Sequence, residues 1–287
     1  RFLAKRTFLL SYATLAMERY DRIFVLGPAH RVALQGLGIG EWTHYETPLG
    51  RVPIDQEAVE RLCAHPRIAI VPGVDDEEHS VEMQVPMLQV AAMGSRIVPI
   101  VVGQLDAEGA ADVAAALRAE VGPGDLVVVS TDFTHWGERF GYAPAFDDLP
   151  AGIEGLDRGV FEALQARDAA AVLKAREETG ATVCGFRGMA ILAAMLGDGH
   201  EVSERAYDTS GRMLGDWNAS VSYLSAVVTG PVWDGRGATD TTWRLGVDEQ
   251  RTLLTLARDA IEAALAGRPA PDLTGYDVTP AMREDSG

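Results

Sequence analysis

The chain has 287 residues, of which 47% are hydrophobic and 23% charged, and its formal net charge is −17. That length supports one large domain or two ordinary ones with a sizeable core, and the negative charge opposes attraction to nucleic acid or anionic lipid. No apolar stretch approaches the ~20 residues that span a bilayer, so the sequence predicts no nucleic-acid partner, no membrane and a cytoplasmic location.

The opening "RFLAKRTFLLSYATLAM" (1–17) sets basic residues before a short apolar run. It lacks a small-residue cleavage site and leads straight into strand-like sequence, which argues against a signal peptide. It begins without Met, as a fragment would. Short β-branched runs then alternate with helical patterns. "RIFVLG" (22–27), "IAIVP" (68–72), "IVPIVVG" (97–103) and "LVVVST" (126–131) read as fully buried strands. Residues 106–122 read as an Ala-rich amphipathic helix ending at Gly122. Residues 156–180 read as helical with Asp157 and Asp168 as N-caps. Residues 184–199 read as a buried helix and 219–230 as a closing strand. This β-α-β order predicts an α/β fold with a mixed central sheet flanked by helices.

Composition shifts at "WDGRGATDTTWRLG" (233–246), which reads as a linker between a domain over 1–232 and a segment over 247–287. In that segment Leu253, Leu256, Ala257, Ala260, Ile261, Ala264 and Leu265 share one helical face, with Gly267 at the C-cap position. The two cysteines, Cys63 and Cys184, lie far apart and are expected to stay reduced.

Strands of such a sheet deliver functional side chains at their C-terminal ends. "RIFVLGPAH" ends in His30, and "LVVVSTDFTHWG" carries Asp132 and His135. "DDEEHSVEMQVP" carries Asp75, Glu78, His79, Glu82 and Gln84, and Cys184 precedes a helix in "TVCGFRG". Imidazole, thiolate and carboxylate are ligand types for zinc, iron or copper, although no pair has the spacing of HExxH or CxxC. Each residue also has a plainer reading. His30 can cap a turn, His79 can bond its acidic neighbours, and Cys184 can be a small buried hydrophobe. Asp132 and His135 are harder to explain by packing, because a carboxylate beside an imidazole orients it and raises its basicity. A Cys184 nucleophile at a helix N-terminus is a further reading that only the residue types support.

"FVLGPAHRVAL", "YETPLGRVPID", "DDEEHSVEMQVPML", "VPIVVG", "VVVSTDFTHWGERFGY", "VCGFRG" and "GDWNASVSYLSAV" occur in that order. Together they resemble the MEMO family, known in prokaryotes as protein B of the AmmeMemoRadiSam system, over about residues 11–230. "LLTLARDAIEAALAG" and "YDVTPAMREDSG" resemble the opening of an AMMECR-type domain, the system's protein A. The resemblance implies a fold like that of class III (LigB-type) extradiol dioxygenases and an iron or copper site built from two histidines and a cysteine. Carried over, His30 and Cys184 are metal ligands, and Asp132, His135 and His79 are the catalytic pocket residues. The family's other metal histidine sits in a "PHAGY" motif that residues 1–17 do not contain. The implied ligand set is therefore one short: either Asp132, His135 or water completes it, or the site is empty. Trp42 and Trp136 are candidate pocket walls. The implied activity is dioxygenase-like redox chemistry on an unknown small molecule or peptide. The alternative is a non-catalytic metal- or peptide-binding scaffold for a radical-SAM partner, with AMMECR-type proteins as further partners.

Overall fold

The apolar run Arg22–Pro28 forms strand β1, and all its residues are buried. That is the expectation for a strand with helices over both faces. In the computed structural model, residues 5–15 and 19–237 are described, together with isolated positions between 252 and 277. Before β1 lies helix α1 (Lys5–Leu15); after it come β2 (Leu37–Ile39), β3 (His44–Thr47), β4 (Gly50–Pro53) and α2 (Gln56–Leu62). Then follow β5 (Ile68–Ile70), α3 (His79–Glu82), α4 (Val85–Ala91), β6 (Arg96–Val102), α5 (Ala107–Glu120), β7 (Leu126–Val129) and β8 (His135–Trp136). The last elements are α6 (Leu149–Gln165), α7 (Ala169–Thr179), α8 (Phe186–Met195), β9 (Glu201–Thr209), α9 (Ser210–Leu214) and β10 (Ser220–Thr229).

The central sheet has five strands in the order β5-β2-β6-β1-β7. β1 runs parallel to β6 and β7, with Ile23 opposite Ile97 and Leu126. β2 is antiparallel to β6 and parallel to β5. The expected mixed, helix-flanked α/β sheet is therefore the observed architecture. A second sheet has the order β8-β10-β9, all antiparallel.

Several local expectations change. "IAIVP" is not a buried strand: β5 lies at a sheet edge, and Ile70 is 44% exposed. β7 is the opposite edge of the five-stranded sheet, and its four residues are half-buried. Its side chains instead line a cavity of about 560 Å³ that is shared with the Leu224–Thr229 part of β10. Asp157 is no N-cap. It lies within α6, fully buried, where it accepts Thr134 N–H at 2.9 Å and Tyr207 O–H at 2.8 Å. The cap of α6 is Asp148, while Asp168 caps α7 as its sequence predicts.

Asp106 caps α5, accepting Gly109 N–H at 2.8 Å. A side-chain oxygen here satisfies one of the helix's orphan donors. Asp106→Ala should lower stability by about 1 kcal/mol; a urea midpoint unchanged from the parent would mean that water serves the donor equally well.

The chain divides into two compact units, Arg1–Ala238 and Thr239–Gly287. The start of the expected linker is docked on the first unit. Trp233 donates its indole N–H to Met195 O at 3.2 Å, and the Arg236 and Gly237 amides bond Ala119 O and Glu120 O. In the second unit a short turn spans Leu273–Gly275, and Asp272 accepts Thr274 N–H at 3.0 Å. The helix expected over 253–265 and the AMMECR-like stretch lie almost wholly outside the described residues. No helix among the described residues is long and apolar enough to cross a membrane. Both cysteines are free thiols.

Candidate functional site

Glycine decides how closely the site-bearing elements approach. Gly27, near the end of β1, has no Cβ, and an added one would lie 2.4 Å from Ser80 Oγ. Helix α3 therefore seats directly on β1, fixed by the Ser80 hydroxyl donating to Pro28 O at 3.0 Å. Gly185 has the same role before α8: an added Cβ would lie 2.5 Å from both Ser130 O and Thr131 Cβ. The chain ends at β1, β7, α3 and α8 thus meet at the C-terminal edge of the parallel strands, where such folds build their crevices.

At this edge Glu78, with a side chain only 1% exposed, holds His30 twice. It accepts the His30 backbone N–H at 2.6 Å and pairs with Nδ1 at 2.8 Å. Its Oε1 also accepts Ser80 N–H at 3.0 Å. Burial alone would raise the Glu78 carboxyl, but these hydrogen bonds outweigh it and hold it below the usual carboxylate range. A carboxylate acceptor puts a proton on His30 Nδ1, and in the neutral ring Nε2 is then the lone pair. The His79 ring stacks on His30 with centroids 4.9 Å apart and planes 17° apart. Ligand atoms of His30, Glu78 and His79 all lie within 4.8 Å of one another, the metal-competent cluster found among the described residues.

Opposite lies the end of β7. His135 is fixed by Thr182: its N–H donates to Thr182 Oγ1 at 2.8 Å, and its Nδ1 bonds Thr182 O at 2.9 Å. A carbonyl can only accept, so Nδ1 carries a proton, and in the neutral ring Nε2 is the lone pair. That atom stands 3.9 Å from Asp132 Oδ2. Burial raises the Asp132 carboxyl, against the pull of His135, His79 and His30, all of which act on it. Cys184 lies on the other side of Asp132, whose backbone N–H donates to Sγ at 3.0 Å. Burial, with the Asp132 carboxylate, pushes this thiol up to about 11. Asp132 thus joins His30, His79, His135 and Cys184 electrostatically, although Cys184 is not part of the close cluster.

Two positioning residues had little sequence signal. Glu78 stood in an acidic run beside His79, and only the fold turns its carboxylate onto a histidine 48 residues away. Thr182 had no signal at all, since its role follows from the return of the chain before α8. Trp136 donates its indole N–H to Pro144 O at 3.1 Å, and Trp42 is 49% exposed.

The model of the Memo-like protein family matches residues 3–227. The protein memo-1 homolog of Caenorhabditis elegans is 31% identical over 236 residues, covering 76% of this chain and 67% of that protein. A MEMO1 family protein of Thermotoga maritima is 32% identical over 213 residues, covering 72% of this chain and 71% of its own. A solved structure of an uncharacterized Escherichia coli K12 protein aligns with a TM-score of 0.48 at 16% identity, over 74% of this chain and 91% of that one. The family match spans the sheet, the crevice and all five candidate residues: the chain belongs to the Memo-like family.

Proposed function

We propose that the crevice at the ends of β1 and β7 is a redox site for iron(II) or copper, with His30 as its anchoring ligand. The observation that supports this reading is the Glu78–His30 pair, at 2.8 Å. A buried carboxylate that pins the Nδ1 proton and frees Nε2 is the arrangement metal-bound imidazoles adopt. The donor set fits the group. His79 offers a second imidazole within the 4.8 Å cluster, and imidazole with carboxylate suits iron and copper. Cys184 is the further ligand the family implies, and its buried thiol must surrender its proton to serve.

Bound iron or copper would supply one-electron chemistry and open positions for dioxygen or an oxidisable substrate. The chain's own residues do the rest. Glu78 holds the His30 tautomer and Thr182 holds that of His135. Asp132 Oδ2 and His135 Nε2 form the acid–base pair that exchanges a proton with the substrate. The proposed activity is dioxygenase-like oxidation of a small molecule or peptide. Residues 247–287 are proposed as the start of an AMMECR-type domain, with AMMECR-type and radical-SAM proteins as partners.

Glu78→Gln keeps the side chain's shape but weakens its grip on His30. It should lower the affinity for Fe(II) or Cu(I) by about 10–100-fold in a competition titration with a chromogenic chelator. Unchanged affinity would remove Glu78 and the tautomer argument from the account. Tight metal binding without oxygen uptake would favour the other reading, a metal- or peptide-binding scaffold.

A further inference from the structure

Arg187 is the second residue of α8, three positions after Cys184. In a chain with 42 acidic residues, guanidinium groups find carboxylates easily, as Arg22 does with Glu120 and Asp125. Arg187 does not. Among the described residues its guanidinium has one hydrogen bond, to the neutral amide oxygen of Gln104, and no carboxylate within ion-pair distance. Its Nε is buried without any hydrogen-bond partner. The guanidinium carbon lies 4.3 Å from the centre of the Phe186 ring, and Arg176 approaches the same ring at 5.5 Å. Arg176 adds repulsion and Glu177 pulls the other way without pairing, so an anion in contact would bring relief. A half-exposed planar fork with a donor to spare suits bidentate recognition of a carboxylate.

The position of this unused donor gives it meaning. Arg187 and Gln104 wall a cavity of about 50 Å³ together with Pro28, Ala29, Gly103 and Cys184. Ala29 is the residue before His30, so the cavity adjoins the crevice at two of its candidate ligands. A water needs ~10–15 Å³ of such space, so the cavity admits a group of roughly three or four heavy atoms, the size of a carboxylate with its attached carbon. The positive end of the α8 dipole adds to the attraction.

We propose that Arg187 anchors a carboxylate of the ligand that enters the crevice, so that the substrate class is an organic acid or a peptide presenting a carboxylate. This rests on the crevice being the working site but not on metal occupancy, and the test is made on the metal-free protein so that the two can fail separately.

The chelator-treated ¹⁵N-labelled chain is titrated with oxalate, with tetrahedral inorganic phosphate as the contrasting oxyanion, while the Arg187 Nε–Hε resonance is followed. Oxalate should shift that resonance saturably, and phosphate should bind more weakly. Arg187→Gln should weaken oxalate binding by at least about tenfold, the scale of a lost hydrogen bond to a charged group. Arg187→Lys should fall between, because charge survives and the fork does not. Unchanged thermal midpoints in both variants would show that the fold is intact. Oxalate affinity equal in the parent and Arg187→Gln, or no saturable shift at all, would overturn the assignment. Phosphate binding as tight as oxalate would overturn the carboxylate class.

Discussion

Arg22→Met should destabilise the protein by about 3–5 kcal/mol, the scale for breaking a buried ion pair from one side. Arg22 opens β1 and is 0% exposed. Its Nη1 donates to Glu120 Oε1 at 2.6 Å, and its Nε and Nη2 fork onto Asp125 at 3.1 and 2.7 Å. Nη2 also donates to Glu120 O at 2.8 Å. Removing the guanidinium leaves Asp125, whose side chain is 0% exposed, with the Gly122 N–H at 2.9 Å but no cation, while Glu120 keeps Arg61 at 2.6 Å. Most of the loss therefore traces to Asp125. Arg22→Met combined with Asp125→Asn should recover a large part of it, because the uncompensated buried charge is gone. Urea denaturation of the parent, the single and the double variants checks this. A single-variant loss below about 1 kcal/mol would mean that the pair is hydrated in solution.

Gly27→Ala should cost about 1–3 kcal/mol, the usual scale of overpacking, and should also impair the crevice. The new methyl would meet Ser80 Oγ at 2.4 Å, Ser80 Cβ at 2.9 Å and Val81 Cγ2 at 2.9 Å. Neither neighbour can yield alone. Ser80 Oγ is bonded to Pro28 O, the Ser80 amide is bonded to Glu78, and Val81 is 1% exposed. The strain is relieved by lifting α3 off β1, which carries Glu78 and His79 away from His30. A lower urea midpoint together with weaker metal binding is the expected result. Normal metal affinity at reduced stability would show that α3 holds its place by other contacts.

The sheet was legible where burial is two-sided. Ile23–Leu26 and Ile97–Val102 have apolar runs that only a strand enclosed by helices explains, and there they lie. Ile68–Ile70 and Leu126–Val129 have the same composition but take the two edges. An apolar run does not say which strand has a neighbour on each side. The cap Asp168 followed local chemistry and was readable. Asp157 looked the same in sequence, yet its carboxylate serves Thr134 and Tyr207 across the fold. The crevice divides in the same way. His30, Asp132 and His135 were readable because polar residues at strand ends have no packing purpose. Their orientation by Glu78 and Thr182 was not, because those contacts span 48 and 47 residues. The thiol of Cys184 is turned toward the Asp132 backbone rather than into the His30–Glu78–His79 cluster, a distinction that residue type alone cannot make.

The central claim is that His30, held by Glu78, anchors a metal. Its most direct test is the metal content of the purified chain after anaerobic loading with Fe(II) or Cu(I) and removal of excess, measured for the parent, His30→Ala and Cys184→Ala. One metal per chain is expected in the parent and its loss in His30→Ala, with the Cys184→Ala value reporting whether the thiolate is a second essential ligand. A parent that retains no metal, or a His30→Ala variant that retains as much as the parent, would contradict the claim.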